Sequence, residues 1–101
     1  MMDALDILKA ARAKIADPKD WGQLCRPARL CQNTYCVGEA VEESCPPESI
    51  MERRRAIRAL YNAAGLDIGW GVLVDWNDAP ERTHSEVLAT FDLAIATLRL
   101  S

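Results

Sequence analysis

Four cysteines and a single histidine are the residues of this 101-residue chain with the widest covalent and metal chemistry. Cys25, Cys31, Cys36 and Cys45 are spaced as C-x5-C, C-x4-C and C-x8-C. Zinc sites of the usual kind are built from close pairs such as C-x2-C, matched by a second pair. The C-x4-C here has no matched partner, so no metal ligand is assigned and no cofactor is expected. A structural zinc held by three of the cysteines and His84 is kept as an alternative.

Cys36 offers a second chemistry. The thiolate is the reactive form of cysteine, and the start of a helix lowers a thiol pKa. Cys36 falls near the expected start of a helix. His84 is the only available base, and Asn77 or Asp78 could orient its imidazole, giving a Cys–His–Asn or Cys–His–Asp set. Against this, His84 is expected in the first turn of the last helix, exposed to solvent. The plain alternative is that Cys36 is a small core residue and the other thiols are partly buried. Cys36, His84, Asn77 and Asp78 are thus candidates with no committed catalytic role. A thiol-dependent enzyme is the runner-up reading, behind a non-enzymatic one.

Two further groups have binding chemistry. Arg53, Arg54, Arg55 and Arg58 form a basic shoulder that could hold phosphate, with Arg54 and Arg58 its candidate contacts. Glu48 and Glu52 lie close by and the chain is acidic overall, so a solvated helix face is the favoured reading. The stretch "DWNDAPERTHSEV", residues 75 to 87, gathers Trp76, Asn77 and Asp78 ahead of a proline and the histidine. These three are binding candidates. Short polar side chains before a proline also bond nearby backbone and fix its path, so a structural turn is the favoured reading. Trp21, Trp70 and Trp76 are all expected in connectors. There they either plug the ends of a bundle or form an exposed patch, and burial favours the plug.

The elements that must position these residues follow from periodicity. A first helix is expected over 3–16, capped by Asp3, with Ala4, Leu8, Ala11 and Ile15 in one stripe and Asp17-Pro18 as the stop. Residues 17–33 read as a long loop, with at most a short turn of helix, pinned by Trp21, Leu24 and Leu30. A short second helix is expected over 35–44, capped by Asn33 or Thr34, with Cys36, Ala40 and Val41 inward. A third helix over 47–64 starts on Pro47 and stops at Gly65. It carries a stripe of Ile50, Ile57, Tyr61 and Ala64, with Leu60 beside it.

Gly69 and Gly71 argue against a helix in "LDIGWGVLVDWNDAP", which is expected to be an extended or single-turn connector. The last helix opens on a capping box, Thr83 with Glu86. It continues through Val87, Leu88, Phe91, Ala94, Ile95 and Leu98 at helical spacing. The expected fold is all-α: one domain over residues 1–101, a bundle of about four helices with a long loop after the first.

Composition bounds the function. Half of the residues are hydrophobic, enough for a core without metal or disulfides. The net charge of −3 argues against a general nucleic-acid binder or an anionic-membrane binder. No run of about 18 apolar residues exists to cross a membrane. The N-terminus has acids at Asp3 and Asp6 and no continuous apolar stretch, so it is not a secretory signal and a cytoplasmic location is expected. The four cysteines are then expected as thiols.

Several of these segments together resemble a family of small, uncharacterised bacterial and phage-encoded proteins. They are "CVGEA" (36–40), "WND" (76–78), the proline turn, "RT" (82–83) and "EVL" (86–88). In that family Trp-Asn-Asp before the last helix is the most specific mark. The first helix and "DWGQ" (20–23) fit its outline. The family tends to have Gly followed directly by Ala, whereas Glu39 here stands between Gly38 and Ala40. The resemblance implies a single helical domain and names no reaction. The reading is a cytoplasmic, non-enzymatic module that binds an unknown protein partner or associates with itself, and the resemblance implies a phage or mobile-element origin.

Overall fold

The computed structural model describes residues 2–23, 34–66 and 70–100. Among these the chain forms five α-helices and no strand: α1 (Ala4–Lys14), α2 (Val37–Ser44), α3 (Ile50–Ala64), α4 (Trp70–Asp78) and α5 (His84–Leu100). The all-α class holds, with one helix more than expected. Leu24, Leu30, Cys25 and Cys31 lie outside the described residues, as does the side chain of Trp70.

α1 starts as its sequence requires. The Asp3 carboxylate accepts the Asp6 N–H at 2.8 Å, and Asp6 accepts the Asp3 N–H in return. The helix ends at Lys14, two residues earlier than expected. A single 3₁₀ turn follows at Pro18–Asp20, with Asp17 accepting the Lys19 N–H. From there Trp21 runs beside Tyr35 in an isolated parallel bridge. The Tyr35 N–H donates to the Asp20 carbonyl at 2.8 Å and the Gly22 N–H to the Tyr35 carbonyl at 3.0 Å.

That bridge corrects the start of α2. Tyr35 is extended rather than helical, so Thr34 does not cap, and Asn33 lies outside the described residues. The cap is Cys36, whose Sγ accepts the Glu39 N–H at 3.4 Å, while Glu39 accepts the Cys36 N–H. Cys36, Ala40 and Val41 are buried, as expected.

α3 begins at Ile50 and not at Pro47. The Pro46 carbonyl accepts the Ser49 N–H at 3.0 Å, so Pro47 takes the second position of a tight turn, where its fixed φ suits. Gly65 ends the helix with φ 72°, the left-handed conformation that a side chain disfavours. The inward face is also rotated from the expected stripe. Ala56, Ala59, Leu60 and Tyr61 are buried, Ile57 and Ala64 are half-buried, and Ile50 is 50% exposed. The two small alanines let α3 approach its neighbours closely.

The expected connector is the helix α4. Leu73, Val74 and Asn77 are buried at positions one helical turn apart, facing α2. Their burial outweighs the low helix propensity of the glycine and the valines there. α5 behaves as expected, with Val87, Phe91, Ala94 and Ile95 buried.

One core joins all five helices, from Ile7, Leu8 and Ala11 through Val41 and Leu60 to Leu73 and Phe91. Polar clamps tie its rim. Glu52 of α3 accepts the Ala4 N–H of α1 at 3.0 Å, and Arg12 of α1 grips Asp92 of α5 with Nε at 2.6 Å and a second nitrogen at 3.2 Å. No helix among the described residues is long and apolar enough to cross a membrane.

Candidate functional site

Asn77 sits in the last turn of α4 with none of its surface exposed. It is not a turn-former, which corrects the expectation for it. A buried amide must find partners for one oxygen and two hydrogens. The Oδ1 of Asn77 accepts the indole Nε1–H of Trp21 at 2.8 Å and the backbone N–H of Val37 at 3.1 Å. Its Nδ2 donates to the Gly22 carbonyl at 3.1 Å and to the Asp78 carboxylate at 3.0 Å. All four bonds of the amide are made. The Val37 bond also satisfies one of the orphan N–H groups at the start of α2, so α4 helps to cap α2 through space.

Neighbouring side chains extend this clasp. Gln23 donates from Nε2 to the carbonyls of Asn77 at 2.9 Å and Ala79 at 2.8 Å, fastening the end of α4. Arg82 donates from Nε to the Trp76 carbonyl at 3.0 Å, and its guanidinium stacks 4.2 Å from the centre of the Trp76 ring. The same guanidinium reaches Glu86 at 3.2 Å. Glu86 and Thr83 form the expected capping box: the Glu86 N–H donates to the Thr83 hydroxyl at 3.1 Å, and Glu86 accepts the Thr83 N–H at 3.0 Å. The Thr83 N–H, then its hydroxyl, then Arg82 hold the Glu86 carboxyl below the usual carboxylate range. Trp21 and Trp76 both pack partly buried against the core.

His84 is not free on the surface. Its Nε2 lies 2.6 Å from the Ile15 carbonyl just after α1, and its ring centre is 6.0 Å from that of Trp21. A carbonyl only accepts, so Nε2 carries the hydrogen, and this leaves Nδ1 alone for any role as a base.

Cys36 hydrogen-bonds to Glu39 of its own helix. Burial pushes its thiol pKa up, which outweighs the Glu39 N–H that donates to its sulfur, and the Glu39 carboxylate adds to the rise. The helix start therefore does not yield an activated thiolate. Among the described residues no hydrogen bond joins Cys36 to His84, and no group of three or more His, Cys, Asp or Glu residues is placed to hold a metal ion.

The basic candidates have a different setting. Arg55 pairs with Glu52 at 3.1 Å on its own helix. Arg54 and Arg58, one turn apart, are exposed and have no carboxylate partner among the described residues. Met51, 67% exposed, shares their face, and Ile50 borders it.

Sequence reasoning missed Gln23 and Arg82 as members of the clasp, and missed the role of His84. A signal was present: "DWGQ", "CVGEA", "WND", "RT" and "EVL" each supply part of it, through Trp21 and Gln23, Val37, Asn77, Arg82 and Glu86.

Fold and site together define, among the described residues, a small all-helical protein with an asparagine-centred clasp between distant segments. The chain belongs to a family of unknown function, DUF6197, whose model matches residues 1–97. No curated protein and no solved structure matches it.

Proposed function

We propose that the protein is a single-domain, cytoplasmic, non-catalytic binding module that takes an acidic and partly apolar protein surface on the exposed face of α3. The observation that carries this reading is the pair Arg54 and Arg58. They stand one turn apart with no carboxylate partner among the described residues, on a chain whose net charge is −3. Two charges left uncompensated on an acidic protein favour an anionic partner. Met51 and Ile50 add the apolar contact that gives an interface its desolvated centre. Free thiols at Cys36 and Cys45 fit a reducing compartment. The resemblance noted from the sequence supports an origin in bacteria, phage or another mobile element.

The test is a titration of the isotope-labelled chain, followed amide by amide, with an amphipathic peptide rich in Glu and Leu and, separately, with a short DNA duplex. The peptide is expected to shift the amides of residues 50–58 in a salt-dependent way, and Arg54→Gln with Arg58→Gln to remove the shifts. The duplex is expected to leave them unmoved at physiological salt. Peptide shifts centred on another face, or unchanged in the double variant, contradict the proposal.

A further inference from the structure

We infer that α5 is also the dimerisation helix of this protein, pairing antiparallel with α5 of a second copy; this uses a face distinct from that of Arg54 and Arg58. The motive is that α5 is apolar on two opposite sides. Val87, Phe91, Ala94 and Ile95 fill the core side. Ala89, Leu93, Ala96 and Leu100 form a second row on the far side, spaced 4, 3 and 4 residues apart, which is the spacing of a coiled-coil seam. All four are exposed, Leu93 by 54% and Leu100 by 90%. A second row of apolar side chains left on the outside of a helix marks an interaction surface.

The occupant follows from the order of sizes and charges along the row. With the second copy antiparallel, Leu93 lies opposite the second copy's Ala96, and Leu100 opposite its Ala89. Every large side chain then meets a small one, and two-fold symmetry repeats each pair. Asp92 and Arg99, seven residues apart, border the same edge of the row. In the antiparallel arrangement these edges meet, so Asp92 faces the second copy's Arg99 twice over. A parallel pairing sets Leu93 against Leu93 and Asp92 against Thr97, without either match. Asp92 already accepts from Arg12, and a carboxylate has lone pairs for a second guanidinium. One helix face per copy makes a small interface, so the dimer belongs to the weak, exchanging class.

The test is sedimentation equilibrium of the full chain, loaded from about 10 µM to about 1 mM, the range suited to a small interface. The parent is expected to show a monomer–dimer equilibrium. Leu93→Glu is expected to weaken it at least tenfold and leave the melting temperature near that of the parent, because residue 93 lies outside the core. Arg99→Glu is expected to weaken it severalfold, more at low salt than at high. A parent that is monomeric throughout overturns the inference, as does a dimer that Leu93→Glu leaves intact. A dimer lost with Leu93→Glu but indifferent to Arg99→Glu overturns the antiparallel pairing.

Discussion

The indole N–H of Trp21 donates to the side-chain oxygen of Asn77 across 56 residues of sequence, at 2.8 Å. This bond ties the segment after α1 to the last turn of α4. The same oxygen takes the first N–H of α2, so one atom registers three parts of the chain. The polar atoms of Asn77 are thereby committed inside the protein.

Thr83→Ala removes the hydroxyl that caps α5 and is expected to cost about 0.5–2 kcal/mol. Chemical denaturation with an unchanged slope checks it. A variant as stable as the parent contradicts the role of the cap.

Glu86 makes part of the stability depend on pH. Its carboxyl is held below the usual range in the folded chain, so it releases its proton more readily folded than unfolded. Its contribution is therefore full above the unfolded carboxylate pKa and is lost as pH falls through the lower folded value. Glu86→Gln is expected to flatten that portion of the acid limb in a stability–pH curve. An identical acid limb in the variant contradicts the assignment.

His84→Ala breaks the link to the Ile15 carbonyl and is expected to cost about 1 kcal/mol. An exposed histidine, as the sequence alone suggested, costs nothing on removal. Thermal unfolding of the variant distinguishes the two.

Cys36 is expected to resist alkylation. With its thiol raised by burial, it stays protonated through neutral pH and reacts with iodoacetamide only after unfolding. Rapid labelling of Cys36 in the folded chain at pH 6 would instead favour the thiol-dependent enzyme.

Much of the frame was legible because it is local. Asp3, the Thr83–Glu86 box, Gly65 and the stripe of α5 each depend on residues within a turn or two of one another. α4 was not legible, because Gly71 and the valines argue against a helix that exists through burial of Leu73, Val74 and Asn77. The start of α2 was misplaced for two reasons. Tyr35 is held by a bridge to a distant residue, and a thiol is an uncommon cap. The rotation of α3 came from alanines, whose weak apolarity makes them poor markers of a core face. Asn77 drew attention by its neighbours, but its partners lie 40 and more residues away, beyond any local pattern.

Thermal unfolding of Asn77→Ala tests the clasp most directly. The change leaves the buried Val37 N–H and the part-buried Trp21 indole and Gly22 carbonyl without their partner. A loss of about 3 kcal/mol or more is expected, which for a chain of this size lowers Tm by roughly 10 °C or more. A variant that melts within about 2 °C of the parent contradicts the clasp, because such a small shift leaves no room for even one orphaned buried group.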